Sequence, residues 1–221
     1  MKDGPTVITV RLKETYDSLL GAYGPQHWWP AQSAFEVMVG AVLTQNTAWS
    51  NVERAIKNLK QEKLLTPEAL TQCSHELLAE ALRPSGYFNI KATRLKNLCA
   101  LIMALGLEES RALDTHALRT ALLSVNGVGP ETADDILLYA YDRPVFVIDA
   151  YTRRIFSRLG LVSGKESYEV VRALFETHFV ASAAIYNEYH ALIVRHAKQA
   201  CQVKPRCSAC ILRSKCPFDD K

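Results

Sequence analysis

The chain has 221 residues, 48% of them hydrophobic and 22% charged, with a formal net charge of +3. That is enough apolar material for one large domain or two small ones with a real core, and it excludes a disordered or fibrous chain. No stretch approaches the ~20 consecutive apolar residues a membrane-spanning helix needs, and residues 1–5 do not read as a targeting segment.

In chain order, the periodicity is helical almost throughout, with no alternating strand, hairpin turn, internal repeat or low-complexity linker. Ser33 followed by Glu36 matches a capping box and opens an apolar run, Phe35 to Leu43, that is too long for most strands. Thr66-Pro67-Glu68 starts another helix, with Pro67 at the first helical position. Further helical patterns lie near 49–60, 91–104, 112–125, 131–141, 151–159, 168–178 and 183–200. The predicted class is all-α, and any division must fall between packed helical lobes. Cys73 and Cys99 sit in apolar helical surroundings and read as core residues.

Between two of these helices lies Val125-Asn-Gly-Val-Gly-Pro-Glu131. Gly127 and Gly129 permit a tight reversal and uncover backbone N–H groups, and the helix start behind them adds partial positive charge. Pro130 needs no donor there, and Glu131 complements the helix dipole. Gly127, Val128 and Gly129 therefore read as a phosphate cradle. The alternative is an ordinary helix-helix turn that contains two glycines.

The last 21 residues hold four of the six cysteines, Cys201, Cys207, Cys210 and Cys216, spaced C-x5-C-x2-C-x5-C. The residues between them offer too little apolar bulk to form a core, so a metal centre must substitute for one. A zinc held by four thiolates and a [4Fe-4S] cluster compete. Zinc sites usually pair two C-x2-C knuckles, and the single one here favours the cluster. A disulfide framework is the third reading; the absence of an export signal opposes it and places the free cysteines in the cytoplasm.

From Arg195 to the end, seven Lys or Arg stand against two Asp, a net of +5 that leaves the rest of the chain at −2. A second acid-free stretch carries Arg83, Lys91, Arg94 and Lys96. Such patches suit phosphate backbones, although a solvated basic surface looks the same in sequence.

Taken together, Gly127-Val-Gly129 with Thr132-Ala133, the segment Val147-Ile148-Asp149 and the four terminal cysteines resemble the helix-hairpin-helix DNA glycosylase superfamily. Leu43-Thr-Gln-Asn-Thr47 and Gly86 to Ala92 match further segments of that family, so the resemblance covers nearly the whole chain. The cysteine loop resembles that of endonuclease III and of adenine glycosylases. Three departures matter. Glu131 stands where bifunctional members carry the lysine that forms a Schiff base with the sugar. Five residues separate Cys201 from Cys207 where endonuclease III usually has six. Trp28-Trp29-Pro30, Gln45-Asn46-Thr47 and Arg83 to Asn89 are closer to the 3-methyladenine branch, which also places Glu at the lysine position but in some members lacks the cluster.

The resemblance implies a two-lobed helical fold, with residues 30–141 as the central lobe and 1–29 plus 142–221 as the second, the latter carrying a cluster loop at 201–216. It implies a base-excision DNA glycosylase that releases damaged, alkylated purines by hydrolysis without lyase activity. The alternatives are an endonuclease III-type oxidised-pyrimidine glycosylase and lyase, and a non-catalytic damage-binding protein. Asp149 becomes the candidate that stabilises the oxocarbenium ion, although its place before a helix also fits a plain N-cap. Glu131 is the second catalytic candidate, or an exposed acid at a helix start. Gln45 is expected to enter the duplex, Lys204 and Arg206 to meet phosphates, and Trp28 and Trp29 to stack on the flipped base. His196 is expected to pack against the cluster, while a DNA or site contact for Lys198 is a guess. The expected partner is double-stranded DNA with a flipped base, bound by a monomer of bacterial or archaeal type at the nucleoid.

Overall fold

Eleven α-helices and four short 3-10 turns, with no strand among the described residues, account for the architecture in a computed structural model that describes residues 6–218. Residues 1–5 and 219–221, which include the two tail aspartates, lie outside the described residues. The chain divides into two compact units, one running to Trp28 and resuming at Pro144, the other Trp29–Arg143.

The Trp29–Arg143 unit is built on α2 (Ala34–Leu43), buried from Phe35 to Leu43. Ser33 caps it by accepting the Glu36 N–H at 3.1 Å. The Glu36 carboxylate reaches back to the Gln32 N–H, one residue beyond the position a capping box requires, and it pairs with Lys60 at 2.8 Å. Around α2 stand α3 (Trp49–Gln61), α4 (Pro67–Gln72), α5 (His75–Leu82), α6 (Phe88–Leu105), α7 (Thr115–Leu123) and α8 (Pro130–Tyr141). Helix α8 packs on α2 and α7, while α6 packs on α4 and α5. The buried Asp134 of α8 holds Arg119 of α7 through two hydrogen bonds of 2.6 and 3.1 Å. This joins the two helices that flank the glycine turn. Sequence periodicity passes over α5, whose signal is the Ser74 cap on Leu77 N–H.

The other unit contains α1 (Val7–Tyr23), α9 (Ala150–Arg158), α10 (Tyr168–His178) and α11 (Ala183–Gln199). Helix α1 also escapes the sequence reading, because its Val-Ile-Thr-Val opening is β-branched; the Thr6 side chain caps it. Its core is aromatic: Phe146 stacks on Phe175 with centroids 4.1 Å apart, and Tyr189 meets both edge-on. Such rings contribute ~2 kcal/mol or more each by burial. The Tyr189 hydroxyl avoids a desolvation cost by donating to Leu12 O at 2.8 Å. Residues 145–148 are buried without regular secondary structure. Side chains satisfy this backbone: Phe146 N–H donates to Glu176 and Ile148 N–H to the Tyr168 hydroxyl.

Candidate active site and cysteine cavity

In the Trp29–Arg143 unit, the glycine turn and the Gln45 loop form one assembly. Gly127 has φ +100°, and a Cβ there would collide with Arg94 Cγ, so both backbone and space require glycine. Gly129 is the N-cap of α8 at φ −91°, where a Cβ would meet open space. Its value is therefore an uncovered helix start, distinct from the reason for Gly127. Val128 is buried and anchors the turn through Val128 N–H to Val125 O at 3.0 Å. Gln45 Nε2 donates to Gly127 O at 3.1 Å and to Thr132 Oγ1 at 2.9 Å, and Arg94 donates to Gln45 Oε1. The next residue, Asn46, is exposed at φ +53°. Glu131 lies exposed in the first turn of α8.

Lys91, read from sequence as part of a basic patch, is 1% exposed. It donates to Leu43 O, Thr47 Oγ1 and Ser85 O at 2.8, 2.5 and 2.9 Å, tying the Gln45 loop to the turn at Ser85. Burial, with the Arg94 charge, pushes its ammonium down to about 8. It is a structural tie and is withdrawn from the candidate phosphate ligands. The remaining patch residues Arg83, Arg94 and Lys96 bond to Glu80, Gln45 and Cys73 O.

The adjacent tryptophans diverge. Trp29 meets Trp49 edge-on at 5.1 Å and Tyr139 at 5.0 Å, and it covers Gly40, where a Cβ would approach its ring to 2.9 Å. Trp28 belongs to the other unit and stacks on His190 of α11, centroids 5.8 Å apart and planes within 6°. Neither Trp49 nor His190 stands out in the sequence, since a single Trp at a helix start and a single His in an apolar helix both match core packing.

Asp149 is the N-cap of α9: its Oδ1 accepts the Thr152 N–H at 2.6 Å. Its Oδ2 faces His190 Nε2 at 3.6 Å, and its side chain is 13% exposed. Burial raises the carboxyl pKa, but His190 and the Thr152 N–H outweigh it and hold the group below its ordinary 3.8. The cap role is thus real, and it engages one oxygen. The second oxygen remains directed at the imidazole.

The four tail cysteines line one cavity, together with Ile155, Leu159, His196 and Leu212. Burial pushes the Cys210 thiol up, and the nearby Cys201, Cys207 and Cys216 add to the effect. Thiolates so gathered repel unless a cation sits among them. Among the described residues, no three His, Cys, Asp or Glu side chains converge on a point suited to a single metal ion. The four sulfurs line the same cavity, a donor set that fits a [4Fe-4S] cluster or a four-thiolate zinc. The surrounding chain holds them in place. Arg158 donates to Cys201 Sγ at 3.2 Å, to Gln202 O at 2.6 Å and to Val203 O at 2.9 Å, and Arg154 donates to Cys201 O at 2.9 Å. His196 is buried, bonds the Tyr23 hydroxyl at 2.9 Å and approaches Cys210 Sγ at 3.6 Å, and burial lowers its pKa to about 4. Lys198, Lys204 and Arg206 are exposed. Lys215 leans on α1, bonding Ser18 at 3.1 Å, which removes it from the free basic surface. Cys99 is buried as expected, whereas Cys73 is only half-buried at the end of α4.

A family model for HhH-GPD superfamily base excision DNA repair proteins matches residues 39–179, which span both the glycine turn and Asp149. The chain belongs to this family. A protein of Methanocaldococcus jannaschii, provisionally named a DNA repair glycosylase, is 50% identical over 91% of this chain and 93% of its own. A crystal structure of the Helicobacter pylori 3-methyladenine DNA glycosylase bound to 1,N6-ethenoadenine shares 30% identity at a TM-score of 0.73, covering 86% of this chain and 97% of that one. The fold also matches a non-covalent endonuclease III–DNA complex, with a TM-score of 0.81 at 21% identity and 96% of each chain covered. No helix among the described residues is long and apolar enough to cross a membrane.

Proposed function

We propose that this DNA glycosylase hydrolyses the N-glycosidic bond of alkylated purines and lacks lyase activity. The observation that carries this reading is Glu131 at the start of α8, because a carboxylate cannot form the imine through which a lyase cleaves the strand. The 30% identity to a 3-methyladenine glycosylase supports the same substrate class. Asp149 stabilises positive charge on the sugar as the base departs, through the oxygen not used by Thr152, and orients the attacking water. Trp28, in the same unit as Asp149, supplies an aromatic face for an electron-poor base, and cation-π attraction of ~0.5–2 kcal/mol discriminates against normal bases. The glycine turn, Gln45, Lys204 and Arg206 bind double-stranded DNA, with the damaged base extruded. Cys201, Cys207, Cys210 and Cys216 hold a [4Fe-4S] cluster that organises the tail; zinc is the alternative occupant.

Product analysis tests this reading. Duplexes carrying 3-methyladenine, thymine glycol or a preformed abasic site are incubated with and without borohydride. Free alkylated base from intact strands, with no trapped adduct, supports it. A trapped covalent complex with strand cleavage assigns the endonuclease III-type reaction, and binding without any base release assigns a damage-binding protein.

A further inference from the structure

The aromatic stack on α11 does more than fill space. His190 is 5% exposed, and burying a polar ring carries a cost that an aliphatic side chain at the same site would avoid. Its ring plane is fixed by the parallel indole of Trp28, and within that plane its Nε2 edge points at Asp149 Oδ2 from 3.6 Å. The other carboxylate oxygen is fixed by the helix through the Thr152 N–H at 2.6 Å. One oxygen thus anchors the side chain, and the imidazole fixes where the second one points.

We infer that His190, oriented by Trp28, is a positioning residue for Asp149: it donates an N–H to Oδ2 and aims the carboxylate at the sugar. The 3.6 Å separation is beyond a full hydrogen bond. Catalytic contacts of this kind commonly lengthen in the free enzyme and tighten in the substrate complex. The lowered pKa of Asp149 agrees, since burial alone would raise it. The inference rests on the proposed catalytic role of Asp149 and adds to it the group that makes Oδ2 competent.

Two substitutions separate the donor from the packing. His190→Phe keeps a flat ring against Trp28 and removes the N–H. His190→Gln gives up the stack but can place an amide N–H near the same point. Single-turnover base release, affinity for a duplex with a non-hydrolysable abasic analogue, and Tm are measured for each, beside Asp149→Asn. The expected result is a tenfold to hundredfold slower release for His190→Phe with affinity unchanged, and recovery of most of that rate by His190→Gln. Release by His190→Phe at the unmodified rate overturns the inference. Equal slowing of both variants in step with their Tm losses also overturns it, because packing alone then accounts for the effect. If Asp149→Asn is inactive while His190→Phe is not, only this inference fails. If the unmodified protein releases no base, the proposed function fails with it.

Discussion

Gln45 Nε2 donates to Thr132 Oγ1 at 2.9 Å, so the loop residue expected to enter DNA is bound to the helix that opens after the glycine turn. The same nitrogen also holds Gly127 O, and Arg94 holds the amide oxygen. The turn and the loop are therefore bonded into one assembly, which the proposed function places against DNA. Thr132→Val removes the acceptor at nearly constant volume and leaves Gln45 less restrained. The expected outcome is a loss of about 1 kcal/mol in stability and a several-fold weaker affinity for abasic-analogue DNA. Urea denaturation and fluorescence anisotropy measure the two.

Asp149 caps α9, and the proposed function gives it a second, catalytic role that can be separated from the first. Asn at this position keeps the N-cap, because its amide oxygen can still accept the Thr152 N–H, whereas Ala removes it. Asp149→Asn is expected to abolish base release with a modest loss of Tm at neutral pH, and Asp149→Ala to lose about 1 kcal/mol more. A carboxyl held below 3.8 when folded contributes stability that is fully present above pH 3.8 and disappears as pH falls through the folded value. Asp149→Asn is accordingly expected to flatten the acid side of the Tm against pH curve, read by thermal melts between about pH 3 and 6.

Lys91 gives the opposite limb. Its ammonium titrates at about 8 in the folded chain, against an ordinary 10.5 for a lysine side chain. The unfolded chain therefore binds more protons between these values, and stability rises with pH across that window. The cost of the buried charge is felt in full below about pH 8. Lys91→Met removes this dependence but leaves Leu43 O, Thr47 Oγ1 and Ser85 O without their donor. Chemical denaturation at about pH 7, 8.5 and 10 should show a flat profile and a net loss of stability at the alkaline end.

The ion pair between Arg119 and the fully buried Asp134 is a hydrogen-bonded pair in a dry setting. Arg119→Met strands the carboxylate and is expected to cost about 3–5 kcal/mol, whereas Arg119→Met with Asp134→Leu restores most of that loss. A double-mutant cycle in urea measures the coupling. If the glycine turn meets DNA as proposed, the single variant should also weaken DNA binding, because the pair joins the helices on either side of that turn.

Purified under anaerobic conditions, the protein is expected to contain iron without zinc and to absorb broadly near ~400 nm, where thiolate-to-iron charge transfer falls. Cys207→Ser should abolish the band and open the tail to proteolysis while α2 to α8 stay folded. Zinc without colour assigns the other metal.

Much of this is legible in the sequence. The capped starts at Ser33 and Thr66, the all-helical class and the family can be read because each rests on local chemistry or short spacing. Helices α1 and α5 cannot, since β-branched residues mask the first and brevity the second. Of the site, Asp149 and the cysteines carry recognisable contexts. His190 does not: its stack with Trp28, 162 positions earlier, is created only by the tertiary fold. Lys91 misleads for the same reason, because a lysine in a basic stretch gives no sign that three acceptors await it indoors.

Helix α9 is capped by Asp149 and ends at Arg158, whose guanidinium grips the loop of Cys201. At nine residues it is only ~14 Å long, a single stiff strut between the carboxylate and the sulfurs. The candidate carboxylate and the guanidinium that holds the cysteine loop thus share one short helix, so a variant that loosens that loop is expected to be felt at Asp149.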